Sequence, residues 1–269
     1  MELWHVIVLA LVQALTEFLP VSSSGHLALV GFFFGWPYQG LTFDLALHFG
    51  TLSAVVIYYW RDLLRIATAV GNRAQDADSL MHRRLGWGLA LGTVPALIVG
   101  GLMSRNDAFV ESLRIPWLMA GNLIVFGLLL WWADRASRRN REVASVDLRA
   151  ALWIGCAQVL ALIPGVSRSG ITISAGLALG LTRVDAARYT FLLSVPITAA
   201  AAAHGAWQLL KSSEHLEISQ FVIGAALAAV AGVACIHFLL GFLRRVGIWP
   251  FVVYRIALGT LVLSVLAWR

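Results

Sequence analysis

Charge is what this 269-residue chain has least of. Asp, Glu, Lys and Arg make up 13%, against 59% hydrophobic residues and a mean hydropathy of +0.80. A soluble globule is about a quarter charged, so this chain cannot cover a water-facing surface. Soluble, disordered and collagen-like classes are excluded. Cysteine is nearly absent as well: Cys156 and Cys235 both lie in apolar stretches. Two such residues make neither a disulfide framework nor a zinc-site spacing, and both read as packing residues. No Lys or Arg precedes Arg61. The first apolar stretch is far too long for a signal-peptide core, and no cleavage site follows it. The net charge of +6 is compatible with a nucleic-acid partner, but the basic residues sit in short loops between apolar runs, which argues against one. What remains is an all-α, polytopic integral membrane protein.

An apolar span of about 20 residues crosses a bilayer as a helix. Six are present, roughly 43–60, 86–104, 116–134, 188–210, 218–241 and 249–268. Two further apolar stretches, 1–35 and 150–182, are each interrupted by a polar break, Leu19 to His26 and Ile163 to Gly170. About 15 apolar residues flank each break, too few for two crossings. Proline biases its predecessor away from helix, so each stretch predicts two short helices meeting at a polar turn, a re-entrant hairpin. Such backbone is tolerated at membrane depth only when buried in protein or lining a cavity.

The basic residues agree with that topology. Arg61, Arg65, Arg73, Arg83, Arg84, Arg135, Arg138, Arg139, Arg141, Arg149, Arg183, Arg188, Arg244 and Arg245 fall on one side; Arg105, Arg114, Lys211 and Arg269 fall on the other. The positive-inside rule then places both long Arg-rich loops in the cytoplasm and both termini in the periplasm. The halves resemble each other: Val21-Ser-Ser-Ser-Gly25 is matched by Val166-Ser-Arg-Ser-Gly170. Each break is followed by three spans, an odd number, so the second half is inverted. The expectation is one membrane domain over 1–269, with inverted repeats of roughly 1–134 and 150–269, and with the two polar tips facing each other.

The tips carry chemistry. Gln13 and Glu17 are four apart and share a helix face. The second helix of each hairpin starts in a Ser/Gly run, whose N–H groups form an anion site. Ser22, Ser23, Ser24, Ser167, Ser169 and Thr172 add hydroxyls, and Arg168 a planar fork suited to phosphate. Ionisable residues at this depth are costly and mark function. An anionic, oxygen-rich headgroup carried on a lipid fits this set. Glu17 can hold a hard divalent ion that bridges phosphate oxygens. His26 can move protons near neutral pH, and a nearby Ser, or a water, can attack.

Gln13-xxx-Glu17-Phe-Leu-Pro-Val-Ser-Ser-Ser-Gly-His26, taken with Pro164-Gly-Val-Ser-Arg-Ser-Gly-Ile-Thr172, resembles the undecaprenyl-diphosphate phosphatase family of the bacitracin-resistance type. The likeness covers the whole chain and the order of its spans. It implies removal of the terminal phosphate from undecaprenyl diphosphate in the bacterial inner membrane, leaving the lipid monophosphate that carries cell-wall precursors. It implies catalytic roles for Glu17, Ser23, His26 and Arg168, and phosphate binding by Ser167, Arg168 and Thr172; the tips' own hydroxyls add Ser22 and Ser169 to the phosphate-binding set. It further implies a Mg2+ or Ca2+ ion at Glu17 and Gln13, and a pocket open to the periplasm. Many members have Glu where this chain has Gln13, whose amide still offers a carbonyl ligand.

Plainer readings stand beside these. Ser24 and Ser169 can simply bond the preceding turn. Asp44 and His48 share a face of the first span and either line the pocket or form an interfacial polar strip. His204 and His237 read as core histidines. Arg255, inside the last span, meets a carboxylate, snorkels, or holds the lipid phosphate. Gly88-xxx-Gly92 and Gly176-xxx-Gly180 permit close helix contact, and weakly suggest a homodimer. Trp36, Trp60, Trp249 and Trp268 fit an aromatic belt. The rival function is a transporter or flippase of a lipid phosphate or other anion, which the inverted repeat suits equally well.

Overall fold

Pro20 and Pro164 interrupt helices, as the sequence predicts. The computed structural model describes residues 2–36, 40–71, 75–211 and 217–268; Arg73 and Arg269 of the charge argument lie outside them. The first hairpin is α1 (Leu3–Phe18) and α2 (Ser23–Phe34). Leu19 is already extended, at φ −65° and ψ 143°, because the proline ring behind it disfavours helix. The helices α3 (Leu41–Tyr58), α4 (Trp60–Gly71), α5 (Ala77–Met103), the short α6 (Asp107–Ser112) and α7 (Pro116–Ala136) follow. The second hairpin is α8 (Leu148–Val159), continued by a 3-10 turn over Leu160–Leu162, and α9 (Arg168–Ala178). The chain closes with α10 (Arg183–Lys211), α11 (Ile218–Arg245) and α12 (Trp249–Trp268). Among the described residues there is no β-strand, only an isolated bridge between Arg141 and Leu181.

Five helices, α5, α7, α10, α11 and α12, are long and apolar enough to cross a membrane. The expected span 43–60 departs from this pattern. Its helix ends at Tyr58, and α4 leaves at 79° to it. The expected 61–85 loop is therefore mostly helix. In α4, Ile66 and Ala69 are buried while Arg61 and Arg65 are exposed, an amphipathic pattern suited to an interface.

Small residues let the helices approach. A Cβ on Gly155 of α8 would lie 2.6 Å from Gly92 Cα of α5, and one on Gly88 would lie 3.2 Å from Ala151 Cβ. The Gly88/Gly92 pair is thus filled by α8 of the same chain. Any homodimer would have to use another face. Gly232 of α11 faces Ala54 of α3, and Gly259 of α12 faces Ala120 of α7. With no hydrophobic drive between helices in lipid, such close contacts supply the packing energy. Large apolar side chains such as Trp153, Val230 and Trp268 point outward, as a lipid-facing surface requires. Cys235 is buried but Cys156 is exposed. His204 and His237 are exposed rather than in the core.

The Arg-rich segments are tied to the bundle. Arg183 forks onto Asp134, with Nε–Oδ1 at 2.6 Å and Nη2–Oδ2 at 2.7 Å. Arg188 meets Asp62 at 2.7 Å. Arg141 N–H donates to the Gly180 carbonyl at 3.0 Å.

Candidate active site

The two hairpin tips are built alike. Ser22 has φ 79° and ψ 99°; Ser167 has φ 76° and ψ 116°. Both are non-glycine residues at positive φ, a strain of about 1–3 kcal/mol that the surroundings must hold in place. Each serine caps the helix that follows. Ser22 Oγ accepts from Gly25 N–H at 3.4 Å, and Ser167 Oγ from Gly170 N–H at 3.1 Å. Each also touches the hydroxyl two residues on, Ser24 at 3.4 Å and Ser169 at 3.2 Å. The tips meet: Ser169 Oγ donates to the Leu19 carbonyl at 3.0 Å.

A polar chain crosses this junction. Arg168 Nη2 donates to Glu17 Oε1 in a short ion pair, and Arg168 Nη1 donates to Thr198 Oγ1 of α10 at 2.6 Å. Glu17 Oε2 accepts from Ser23 Oγ at 2.6 Å and from Gln13 Nε2 at 3.2 Å. The Glu17 side chain is 8% exposed and that of Arg168 21%. Charges this buried persist only when paired and hydrogen-bonded. Gln13 is fully buried, and its Oε1 has no partner.

His26 bonds Ser22 and Tyr254 rather than Ser23. Its Nδ1 bonds the Ser22 carbonyl at 2.7 Å, so Nδ1 carries the proton. Its Nε2 then accepts from the Tyr254 hydroxyl at 2.7 Å. The two rings stack with centroids 5.5 Å apart and planes 11° from parallel. The hydroxyls at Ser167, Ser169 and Thr172 are occupied within the scaffold. Thr172 Oγ1 donates to the Arg168 carbonyl at 2.7 Å and accepts from Thr190 Oγ1 at 2.9 Å.

Among the described residues, Arg255 neither pairs with a carboxylate nor snorkels. It is fully buried, and its guanidinium donates to the carbonyls of Pro20, Asn122, Leu123, Gly165 and Val166 at 3.0–3.3 Å. Tyr254 was not picked out by sequence reasoning either. Its only available signal was its place next to Arg255.

A cavity of about 400 Å³ opens beside the tips, within the usual range for a ligand site. Gln13, Ser23 and Ser24 from the first hairpin and Asp44 and His48 from α3 form its polar part, and Pro164 borders it from the second hairpin. Leu9, Leu27, Val30, Phe43 and Leu47 form an apolar wall, with Trp36 and Arg114 alongside. Asp44 and His48 therefore do line the pocket. His48 Nδ1 donates to the Asp44 carbonyl at 2.8 Å. Glu17 and Arg168 do not line the cavity; Ser23 connects them to it. No cluster of three or more His, Cys, Asp or Glu gathers among the described residues. The hard oxygens next to one another are those of Glu17 and Ser23; Gln13 turns its amide nitrogen to Glu17. That set suits Mg2+ or Ca2+ when phosphate oxygens complete the shell, and the unpartnered Gln13 Oε1 is a donor available to such an ion.

Fold and site together define a multi-pass helical membrane protein with a buried carboxylate–arginine–serine constellation beside a half-apolar cavity. The chain belongs to the bacitracin resistance protein BacA family, whose model matches residues 6–261. It is 43% identical over 263 residues to an undecaprenyl-diphosphatase of Alteromonas mediterranea, covering 98% of each chain. It is 45% identical over 265 residues to an undecaprenyl-diphosphatase of Teredinibacter turnerae, covering 97% of this chain and 98% of that one. It is 46% identical over 270 residues to undecaprenyl-diphosphatase 2 of Stutzerimonas stutzeri, covering 98% of each.

Proposed function

We propose that this chain is an integral membrane phosphatase that hydrolyses undecaprenyl diphosphate to undecaprenyl phosphate and phosphate, recycling the cell-wall lipid carrier in the bacterial inner membrane. The observation that carries this reading is the contact of Glu17 with both Arg168 and Ser23, made across two opposed hairpin tips. Ser23 lines the cavity and its Oγ donates to a carboxylate, the arrangement of a nucleophile and its base. Ser23 Oγ attacks the terminal phosphorus, its proton passes to Glu17, and the bond to the bridging oxygen breaks to release the lipid monophosphate. Water then attacks the phosphoserine, phosphate leaves, and Glu17 returns its proton to Ser23 Oγ. His26, after exchanging Tyr254 for substrate, handles the second proton transfer. Arg168 spends two N–H groups on Glu17 and Thr198, which leaves the rest of its five-donor fork for phosphate oxygens. Phosphoryl transfer depends mainly on such positioning and electrostatics. A Mg2+ or Ca2+ held by Glu17 and Gln13 supplies charge neutralisation to the diphosphate when bound. The helix-capping serines Ser22 and Ser167, with Ser169 and Thr172, hold the N–H groups of the tips toward the phosphate.

The same reading takes the chain as one domain of six spans and two re-entrant hairpins, inverted repeats over roughly 1–134 and 150–269, with both termini periplasmic. The 16 residues of α1 and 12 of α8 reach roughly 24 Å and 18 Å at 1.5 Å per residue, short of a hydrocarbon core of about 30 Å. The matching cap geometry of Ser22 and Ser167 supports the repeat. A lipid-phosphate transporter would share that plan; the hydroxyl that donates to a carboxylate beside the cavity favours hydrolysis.

The test is phosphate release from undecaprenyl diphosphate by purified, detergent-solubilised protein. Release should occur, fall at least about tenfold with a chelator, and return with Mg2+ or Ca2+. Folded protein that releases nothing overturns the reading; release indifferent to chelator overturns its metal part.

A further inference from the structure

We infer that Arg255 of α12 is a positioning residue for phosphoryl transfer, holding the two hairpin tips in register by hydrogen bonding to carbonyls of both at once. This rests on the reading that the tips form one site. On the first tip, Nη1 donates to the Pro20 carbonyl at 3.1 Å. On the second, Nη2 donates to the carbonyls of Gly165 at 3.1 Å and Val166 at 3.0 Å. Nε and Nη2 reach Leu123 at 3.1 Å and Asn122 at 3.3 Å on α7. Three elements are thus joined through one side chain, and no carboxylate pairs with it among the described residues.

The need for a cation there follows from the breaks. Pro20, Gly165 and Val166 lie where helices are interrupted, so their carbonyls have no helical N–H to accept from. Unsatisfied carbonyls at membrane depth cost several kcal/mol each. A guanidinium, with five N–H groups in one plane, answers several at once; an ammonium, with three donors on a compact head, cannot. The surroundings leave room for the fork. A Cβ on Gly127 would lie 3.3 Å from Arg255 Cβ and 3.5 Å from Nε, and one on Gly170 would lie 3.0 Å from Nη1.

The consequence for chemistry comes from the sequence positions. Pro20 lies midway between Glu17 and Ser23, and Val166 is two residues before Arg168. Fixing these carbonyls fixes the backbone that sets the distance between the acid, the hydroxyl and the guanidinium. A misplacement of about 1 Å in such a set can cost about 100-fold in rate. Asn122 adds a weaker anchor to the second tip alone, donating Nδ2 to the Pro164 carbonyl at 2.8 Å.

The experiment compares wild type, Arg255→Lys and Asn122→Ala in detergent, measuring thermal unfolding together with kcat and KM for undecaprenyl diphosphate. Arg255→Lys should keep KM within about threefold while kcat falls about 30- to 100-fold; Asn122→Ala should show the same split at about 3- to 10-fold. A lowered Tm with kcat kept within threefold in Arg255→Lys means a purely structural role and overturns the inference. So does equal loss in kcat and rise in KM. If Arg255→Lys does not fold, the outcome rests on Asn122→Ala, whose unchanged kcat overturns it. Wild type that releases no phosphate fails the reading of the site itself, and this inference with it.

Discussion

Taking the charge from Arg168 should cost stability as well as activity, and the structure sets the scale. Glu17 is 8% exposed and its partner 21%. Removing one member of a buried pair strands the other, at about 3–5 kcal/mol. In Arg168→Met, Glu17 keeps Ser23 and Gln13 as donors, and the partial exposure of the site admits some screening, so the cost falls at the low end, about 3 kcal/mol. Glu17→Gln is milder, about 2 kcal/mol, because an amide oxygen can still accept from the guanidinium. The double variant holds no stranded charge. Its loss should be smaller than the sum of the two by about 1–3 kcal/mol. For a chain of this size about 1 kcal/mol moves Tm by about 2–4 °C, so Arg168→Met should unfold about 6–12 °C below wild type. The 11 tryptophans provide the fluorescence signal in detergent. All three variants should fall to one common floor of phosphate release, since groups acting as a unit are non-additive. Strict additivity of the stability losses would refute the coupling, and full activity in folded Arg168→Met would remove that residue from the mechanism.

Two further outcomes follow from the same geometry. Ser23→Ala should lower phosphate release by at least about 1,000-fold and abolish acid-trapped phosphoserine, because it deletes an attacking oxygen and not only a binding contact; activity kept within tenfold would assign the attack to water. Gly155→Ala should lower stability by about 1–3 kcal/mol, read as a Tm shift, since its Cβ falls 2.6 Å from Gly92 Cα with backbone on both sides; an unchanged Tm would show that the α5–α8 seam can open at no cost.

The helix breaks were legible because proline and a Ser/Gly run act locally. The partnership of Gln13, Glu17, Ser23 and Arg168 was legible because ionisable groups in so apolar a chain must converge. Much else was not. The turn after Tyr58 interrupts a continuous apolar run, and the arginines of α4 look like loop charges unless their helical spacing is weighed. A span apolar on every side carries little record of which face turns inward, so the outward His204 and His237 were read as core. Hydroxyl donors at Ser167, Ser169 and Thr172 were visible, but their acceptors were not. Tyr254 is 228 residues from His26, and the carbonyls around Arg255 come from three separate segments with no side-chain signature.

The paired caps of Ser22 and Ser167 also show how the site divides its chemistry. The two tips share one cap geometry, yet their side chains differ: position 23 is serine where the matching position 168 is arginine, position 17 is glutamate where 162 is leucine, and position 26 is histidine where 171 is isoleucine. A homodimer of identical halves would face hydroxyl against hydroxyl, or cation against cation. One tip carries the acid and a hydroxyl and the other the positive charge, so the Glu17–Ser23–Arg168 set exists only across their seam.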